Sequence, residues 1–548
     1  MVVCHEANAV NVDPVDVLIV GAGASGAVAA KELAEAGFTV VCLEQGTWVH
    51  PKDFAGPHAT WELEVEARWH PNPNNRLLAT DYPLDTSEAD VNPLMYNAVG
   101  GSLILYGAQW SRSTPSDFRV RTLDGVADDW PLTYDDLLPF YQQIDDAMGI
   151  SGLEGNPAYP PGFKPPTPPL PIGRTGMVAA RGMDKLGWHW WPGANTMPSR
   201  PYGRLSQCTL RGTCETGCPE GAKATVDLTH WPDAIAAGAR LVTNARVKSI
   251  GVTPAGLATG ATYVDIYSGR ESRVDARTVI LAANGIGTPR LLLMSKSPQF
   301  PDGLANSSGL VGKRLMLHPC GGVTGHFDES LDSWQGPAGQ PISSLEFYET
   351  DARRGFVRGA KWEVNQSRGP LNPFLGHHTQ DAPRIWGADV HRVVKATLGR
   401  TFTWGVTTED LPEETNTVTL DATLKDSDGL PAPKITYRLA DNTRRILAFH
   451  VDRAAEAMEA AGAVSIERKE LAIDSGYHLL GTCRMGDNPR ESVVDQWGQA
   501  HDVPNLFIND GSIFVTGSGM NPTATIMALA LRNVRHLIAT RRSQLVAS

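Results

Sequence analysis

The stretch Asp16-Val-Leu-Ile-Val20 and the following Gly21-Ala-Gly-Ala-Ser-Gly26 decide the fold of this 548-residue chain. The first stretch is a short apolar strand, and the residues after the glycines continue in a helical pattern to about residue 36. Phe38-Thr-Val-Val-Cys-Leu43 is a second strand, which ends at Glu44. This order of strand, glycine-rich turn, helix and strand predicts a βαβ unit.

Gly21, Gly23 and Gly26 have the G-x-G-x-x-G spacing of a dinucleotide-binding turn. The first permits the tight turn, the second lets the backbone approach a pyrophosphate, and the third lets the helix pack closely on the sheet. The helix N-terminus, with Ser25 beside it, faces the phosphate charge, and Glu44 accepts hydrogen bonds from ribose hydroxyls. The alternative is a plain βαβ turn without a ligand. The motif does not separate FAD from NAD, but its place ahead of a long remainder favours a flavoprotein.

Composition and charge exclude several classes of protein. Hydrophobic residues make up 42% and charged residues 20%, which excludes a disordered chain. The net charge is −12 and no basic stripe is present, so a nucleic-acid partner is not expected. No apolar run approaches the length of a transmembrane segment, so no transmembrane segment is predicted. The length is compatible with three to four domains, or with two large interleaved ones.

The first 30 residues contain no Lys or Arg, and the chain contains seven Cys. Secretion signals need a basic region, so we expect no such signal in this sequence and a cytoplasmic location by default. Export to the periplasm together with a partner subunit that carries the signal is the alternative. An odd number of cysteines in a large chain is not a disulfide framework and favours a reducing compartment.

Several further motifs follow along the chain in a fixed order. They are Val99-Gly-Gly-Ser102, Ala283-Asn-Gly-Ile-Gly-Thr-Pro-Arg-Leu-Leu-Leu293, Gly309-Leu-Val-Gly-Lys-Arg-Leu-Met-Leu-His-Pro319, Tyr477-His-Leu-Leu-Gly-Thr-Cys-Arg-Met-Gly486, Val503-Pro-Asn-Leu-Phe-Ile-Asn-Asp-Gly-Ser512 and Asn521-Pro-Thr-Ala-Thr-Ile526. With these motifs the chain resembles the glucose–methanol–choline (GMC) oxidoreductases, a family of FAD enzymes that oxidise alcohols. The resemblance covers nearly the whole chain and is strongest to the bacterial branch with sugar and gluconate dehydrogenase subunits.

The resemblance implies an α/β fold of two interleaved domains. A Rossmann-like FAD-binding domain is expected to comprise residues 1–58, 208–328 and 474–548. An α+β substrate-binding domain, built on an antiparallel sheet, is expected to comprise residues 59–207 and 329–473. One active site then draws on both ends of the chain.

The resemblance also assigns a catalytic pair, His478 and Asn521. An alcohol must lose its hydroxyl proton as its carbinol hydride moves to the flavin N5, and a neutral imidazole accepts that proton near neutral pH. Asn521 cannot take a proton, so it is expected to hold the substrate oxygen. The alternatives are a buried structural histidine and an asparagine that caps the helix starting near Pro522.

Further cofactor contacts follow from the matching family positions. Asp510 is expected near the ribityl chain and pyrophosphate, and Val247 beside the adenine. The remaining predicted cofactor residues are Gly101, Ser102, Gly511, Asn521 and Thr523. Some family members attach FAD covalently through a His at the position occupied here by Leu105, so non-covalent FAD is predicted. Tyr106 replaces the commoner Asn of the family.

Cys208, Cys214 and Cys218 form a cluster in the sequence. In some relatives of the bacterial branch three such cysteines ligate a three-iron (3Fe-4S) cluster that passes electrons to a cytochrome, and three thiolates followed by Pro fit that role. The alternative is a set of buried thiols or one disulfide. These cysteines are therefore candidate metal ligands.

The sequence thus predicts an enzyme that dehydrogenates an alcohol or sugar hydroxyl with FAD. The expected electron acceptor is a quinone, a dye or a cytochrome, with a small subunit as a further expected partner. The first alternative is an oxidase that reduces oxygen to hydrogen peroxide. The second, from another class, is a non-catalytic flavin-binding subunit.

Overall fold

The computed structural model of the protein describes residues 14–371, 374 and 385–547. The strands that it contains are β1 Val15–Val20, β2 Val40–Leu43, β3 Asp85–Ala89, β4 Trp191–Pro192, β5 Arg240–Val242, β6 Ala245–Val252, β7 Ala258–Asp265, β8 Glu271–Leu281, β9 Cys320–His326, β10 Ile342–Ser344, β11 Ala360–Gln366, β12 Thr401–Thr408, β13 Thr417–Lys425, β14 Pro431–Tyr437, β15 Ser465–Lys469 and β16 Leu506–Ile508.

Twelve α-helices connect and cover these strands in the described part of the chain. They are α1 Ala24–Glu35, α2 Trp61–Val65, α3 Pro73–Arg76, α4 Val120–Asp124, α5 Tyr134–Ala147, α6 Gly173–Leu186, α7 Val226–Thr229, α8 Trp231–Ala236, α9 Asn284–Met294, α10 Ala388–Thr397, α11 Asp441–Ala460 and α12 Thr523–Ala547.

The first sheet has the order β5-β2-β1-β8-β7-β6. In addition, β16 pairs with residues 279–281 of β8, beyond the segment 271–275 that pairs with β7. Strands β5, β2, β1, β8 and β16 run parallel, whereas β6 and β7 join β8 in an antiparallel meander. The parallel strands are apolar along most of their length because helices cover both faces of such a sheet. The predicted Rossmann-like α/β fold is confirmed, and the carboxyl ends of β1, β8 and β16 meet at one edge.

The second sheet has the order β15-β9-β12-β11-β10-β4, and each recorded pairing in it is antiparallel. One face is apolar, with Trp362, Val364 and Trp404 buried against a core that α6 and α11 share. The opposite face carries alternating polar residues, as a half-covered antiparallel sheet does. This sheet is the predicted antiparallel sheet of the second domain. A third, small sheet has the order β13-β14-β3.

The second sheet includes β9, although the sequence-predicted boundary at residue 328 assigned that strand to the cofactor domain. The strand Cys320-Gly-Gly-Val-Thr-Gly-His326 is rich in glycine and carries little apolar pattern. Its sheet is fixed by its pairing with β12 and β15, which are distant in sequence. The chain therefore crosses between the two sheets immediately before Cys320.

Candidate active site

The glycine-rich turn joins β1 to α1 at the edge where the parallel strands end. Gly21 has φ +104°, and a Cβ atom on Gly26 would lie 1.9 Å from the Gly21 carbonyl oxygen, so both positions require glycine. A Cβ atom on Gly23, in contrast, would meet only the Cα of Gly101, at 3.9 Å. The backbone at Gly23 is therefore open on the side where a pyrophosphate would approach it.

Glu44 ends β2 beside this turn, as the sequence predicted. Its Oε2 accepts a hydrogen bond from the backbone N–H of Ala22 at 2.8 Å, and its Oε1 accepts one from Gly46 at 2.7 Å. Burial raises the pKa of Glu44 to about 7, although backbone donors oppose that shift. Glu44 thus braces the turn, and it also lines the cleft described below.

Asp510 links the carboxyl end of β16 to the start of α9. Its Oδ2 accepts hydrogen bonds from the backbone N–H of Asn284 at 3.0 Å and from Thr288 Oγ1 at 2.6 Å, and its Oδ1 accepts one from the N–H of Ser512. Asn284 has φ +67°, the left-handed conformation that asparagine tolerates better than most residues. This explains how asparagine stands where the family usually has glycine.

A cleft of about 1270 Å³ runs along the ends of β1, β8 and β16. It brings together nearly all residues that the sequence predicted as cofactor contacts. Those that line it are Gly21, Gly23, Ser25, Glu44, Gly101, Ser102, Val247, Asp510, Gly511 and Thr523. Gly26 lies behind the turn, and Asn521 lies in the adjoining cavity. An elongated cleft with an open glycine turn at one end fits FAD.

A second cavity of about 2120 Å³ adjoins this cleft beneath the polar face of the second sheet. The two spaces share Tyr96, Ser102, Leu103, Tyr477, His478 and Thr523 in their walls. His478 and Asn521 both line the cavity. The predicted catalytic pair therefore stands where a cofactor in the cleft would meet a substrate in the cavity.

His478 is half-buried, and its Nδ1 lies 2.9 Å from Nδ1 of His318. Burial, the neighbouring His318 and the Lys361 cation together hold the pKa of His478 well below its usual value of 6.5. The imidazole is therefore neutral at pH 7 and has a nitrogen lone pair available as a proton acceptor.

His318 is fully buried and has φ +52°, an uncommon conformation for a residue that is not glycine. The carboxylate of Asp410 accepts the backbone N–H groups of Leu317 and His318, at 2.9 and 3.1 Å. Tyr437 also donates to Asp410, and burial raises the pKa of this carboxyl to about 6. Burial lowers the pKa of His318 to about 3, so this ring is also neutral. The strained backbone thus holds a neutral imidazole against His478.

Asn521 belongs to a closed ring of side chains that three hydrogen bonds and one ion pair hold together. Its Oδ1 accepts from the ammonium of Lys361, and its Nδ2 donates to Oε1 of Gln109 at 3.2 Å. Gln109 donates to Oε1 of Glu363 at 2.8 Å, and Oε2 of Glu363 lies 2.6 Å from Nζ of Lys361. Gln340 gives Lys361 a further acceptor at 2.9 Å. The ring fixes which end of the Asn521 amide is the donor.

Leu105 and Tyr106, which also depart from the family pattern, both line this second cavity. The Tyr106 hydroxyl lies 2.5 Å from Thr196 Oγ1 and donates to the Ala224 carbonyl. Lys223 is fully buried below this segment and donates to the carbonyls of Ile104, Tyr106 and Cys214. Tyr106 therefore anchors its segment rather than presenting a polar group to the cavity.

The predicted iron–sulfur site at the three clustered cysteines is not supported by their arrangement in the described structure. Sγ of Cys208 and Sγ of Cys214 lie 4.0 and 3.6 Å from Sδ of Met197, while Sγ of Cys218 lies 3.8 Å from a carboxylate oxygen of Glu220. Burial raises the pKa of Cys208 to about 11 and that of Cys214 to about 12, so both are protonated thiols at pH 7 in the metal-free protein. In the described ranges no group of three or more His, Cys, Asp or Glu side chains is arranged to hold a metal ion.

All three cysteines are free thiols; Cys214 is buried, whereas Cys208 and Cys218 are partly buried. Residue spacing reports which cysteines are close in sequence but not how their sulfur atoms are arranged.

Sequence reasoning assigned no role to His318, Lys361, Glu363 or Gln109. His318 lies within one of the quoted motifs, directly before Pro319, and this position was the one sequence signal that could have indicated a role for it. The alternation in Lys361-Trp-Glu-Val-Asn365 indicates a strand with one polar face. Only the fold shows that this face lies over His478.

Comparisons with known proteins agree with this geometry. Profiles of the GMC oxidoreductase family match residues 174–320 and 412–530, and a profile of NAD(P)-binding Rossmann-like domains matches residues 19–79. The chain is 43% identical over 526 residues to 2-methyl-1,2-propanediol dehydrogenase of Mycolicibacterium austroafricanum, covering 95% of this chain and 94% of that one. It is 29% identical to the fructose dehydrogenase large subunit of Gluconobacter japonicus, covering 94% and 96% of the two chains.

Among solved structures, a variant of formate oxidase from Aspergillus oryzae has the same fold, with a TM-score of 0.66 at 15% identity, covering 97% of this chain and 99% of the other. The fold and the site together define an FAD-dependent oxidoreductase that acts on alcohol- or sugar-like substrates. The chain belongs to the GMC oxidoreductase family.

None of the described helices has the length and apolar character that a membrane crossing requires.

Proposed function

We propose that this protein dehydrogenates a hydroxyl group of a small alcohol, with His478 as the base that accepts the hydroxyl proton. The observation that carries the proposal is the position of a neutral His478 where the cofactor cleft and the substrate cavity meet. When bound, FAD supplies the acceptor for the hydride of the carbinol carbon. His478 takes the hydroxyl proton, and Asn521 donates a hydrogen bond to the substrate oxygen.

A vicinal diol is the proposed kind of substrate. The relative at 43% identity is a 2-methyl-1,2-propanediol dehydrogenase, and the match covers almost the whole length of both chains. Gln109 and Glu363 add polar groups to the cavity wall beside Asn521. An apolar wall at this place would suit a simple alkyl chain better than a second hydroxyl.

We propose that FAD is bound without a covalent link, because Leu105 has no nucleophilic atom. The proposed electron acceptor is a quinone, a dye or a cytochrome, since both relatives described above are dehydrogenases. A small partner subunit and export together with it remain part of this proposal. The oxidase alternative predicts that air reoxidises the reduced enzyme as fast as a quinone does.

The proposal is tested by mixing the holoenzyme anaerobically with 2-methyl-1,2-propanediol and following the bleaching of the flavin absorbance. We expect rapid bleaching, and a loss of about 10²- to 10⁴-fold in its rate for His478→Ala, because general-base catalysis is worth that much. His326→Ala is the matched control, since His326 lies at the far end of β9 beside Glu467. Absence of bleaching in the wild-type protein would favour the non-catalytic flavin-binding subunit.

The acceptor is tested in a second mixing step. Reduced enzyme is mixed either with air-saturated buffer or with a soluble quinone, and the return of flavin absorbance is timed. Much faster reoxidation by the quinone is the expected result, whereas equal rates and hydrogen peroxide formation would replace the dehydrogenase with the oxidase.

A further inference from the structure

The polar face of the second sheet forms one wall of the substrate cavity. In the middle of this face Glu363 on β11 is paired with Gly405 on β12, which is paired with Gly322 on β9. One step along, Asn365 is paired with Thr403 and that residue with Thr324. All six line the cavity. Because Gly405 carries no side chain, the amide of Asn365 lies over it, where a Cβ atom would be 2.3 Å from Nδ2, and the carboxylate of Glu363 stands beside that amide in the cavity wall.

Glu363 is tied directly to the residue that holds the reacting oxygen. The Lys361 ammonium contacts both Oε2 of Glu363 and Oδ1 of Asn521, so one cation separates the carboxylate from the amide. Gln109 closes the connection on the other side, between Oε1 of Glu363 and Nδ2 of Asn521. Because Glu363 and Asn521 both contact the same Lys361 ammonium, they are close enough to bind two oxygens on neighbouring carbon atoms of one substrate.

The ring also leaves Glu363 with unused acceptor capacity. An ionised carboxylate has about four lone-pair sites, and Gln109 donates to Oε1, whereas the buried Oε2 receives no hydrogen bond and is contacted only by the Lys361 ion pair. The side chain is nearly buried, with about 9% of its surface exposed toward the cavity. A hydrogen bond from a hydroxyl to such a shielded carboxylate is stronger than one in water.

We propose that Glu363 accepts a hydrogen bond from a second substrate hydroxyl, on the carbon next to the one that is oxidised, and so selects vicinal diols and polyols over monoalcohols. This inference rests on the proposed function of the same site and assigns it a specificity-determining residue. Asn365 lies two residues further along β11 and is placed to meet a third hydroxyl. The competing explanation is that Glu363 serves only as the counter-ion of Lys361.

The test compares 1,2-propanediol with 1-propanol, which lacks the second hydroxyl. In the Glu363→Gln variant we expect kcat/KM for the diol to fall by about 10- to 100-fold, because a charged acceptor is lost. The value for 1-propanol is expected to fall as well, because Lys361 loses its counter-ion, but by a smaller factor, so that the ratio of the diol value to the 1-propanol value drops by about 10-fold. If Glu363 were only a counter-ion, its loss would disturb Lys361 and Asn521 for both alcohols equally. An equal loss for both, or no loss for either, overturns the proposal.

Glu467→Gln is the matched control, because it makes the same chemical change at a residue of β15 in the same sheet. The side chain of Glu467 is 76% exposed and lies outside the cavity. Flavin content and the rate of anaerobic bleaching are measured for each variant. A second test needs no variant: the wild-type enzyme is expected to prefer 1,2-propanediol to 1-propanol by at least about 10-fold in kcat/KM. Equal values overturn the proposal while leaving alcohol oxidation intact, whereas bleaching by neither alcohol contradicts the proposed function itself.

Discussion

At the scale of single residues, the contact between His318 and His478 determines whether the proposed catalytic imidazole of His478 can accept a proton. The two Nδ1 atoms are 2.9 Å apart, so one of them carries the hydrogen and the other accepts it. If His478 donates, its Nε2 is left without a hydrogen and can take the proton of an alcohol. If His318 donates, Nε2 of His478 is already protonated and cannot act as a base. Catalysis by His478 thus needs an acceptor at residue 318.

This requirement predicts different behaviour for two substitutions of His318. Asparagine tolerates the left-handed backbone of this position and offers Oδ1 as an acceptor, so His318→Asn is expected to keep most of the activity. His318→Phe removes the acceptor and is expected to lower kcat by at least about 10-fold with little change in KM. Equal losses of kcat in the two variants would show that residue 318 acts only through packing and not as a hydrogen-bond acceptor. Steady-state kinetics with flavin content as the reference distinguishes these outcomes.

Substitution of Lys361 is expected to shift the pH dependence of kcat/KM. Its charge is one of the three causes that lower the pKa of His478, so the unprotonated base persists to pH values below 6.5. Removing the cation in Lys361→Met makes the protonated imidazole less unfavourable and raises this pKa. The acidic limb of the profile is therefore expected to move to higher pH. Lys248→Met, which breaks only the exposed pair with Glu271, is the control and should leave the limb in place.

At the scale of secondary-structure elements, two glycines of one turn perform separable tasks. Gly26 lets α1 pack on the turn, since its Cβ would lie 1.9 Å from a carbonyl oxygen. Gly23 has free space in front of it, and this space belongs to the cofactor cleft. Gly26 is therefore needed for folding, whereas Gly23 leaves space for a ligand to approach the backbone.

The pair Gly23→Val and Gly26→Ala tests this separation. Gly23→Val is expected to fold with an apo melting temperature close to that of the wild-type apoprotein and to bind little FAD, because its side chain enters the pyrophosphate path. Gly26→Ala is expected to lower the melting temperature of the apoprotein itself, since the turn must shift. Thermal unfolding of the two apoproteins and FAD titration give the two readouts. A Gly23→Val protein that retains tight FAD binding would contradict the assignment.

Sequence alone predicted the elements whose signals are local. The strand, glycine turn and helix of residues 16–36 form one continuous pattern, and Glu44 follows at the expected distance. His478 and Asn521 required the family resemblance. The partners of His478 could not be predicted, because His318 lies 160 residues away and meets it only through the fold. The role of Glu363 likewise depends on the register between β11 and β12, which no local pattern encodes.

At the scale of the whole molecule, the cofactor cleft connects distant parts of the chain. Its walls come from residues near 20, near 100, near 245, near 285 and near 510. A ligand that binds only this assembled cleft stabilises the folded state by mass action. FAD therefore contributes to stability as well as to chemistry.

Removal of FAD is accordingly expected to lower the melting temperature, and readdition is expected to restore it. The gain amounts to about 4 kcal/mol when free FAD exceeds its Kd by a thousandfold. Because Leu105 offers no covalent attachment, acid precipitation should leave the flavin in the supernatant. Flavin that stays with the precipitated protein would contradict non-covalent binding.

Strand β8 lies at the centre of the first sheet, and its two parallel neighbours are β1, near residue 15, and β16, near residue 508. During synthesis at 5 to 20 residues per second, β8 waits roughly 10 to 45 seconds for β16 to leave the ribosome. Throughout that interval residues 279–281 of the central strand lack their partner on one edge, which exposes the nascent chain to association with other strands. Asp510 and His478 are also absent for most of it. FAD loading must therefore follow release of the C-terminal segments from the ribosome, and expression of this flavoprotein is expected to depend on chaperones that shield the unfinished sheet.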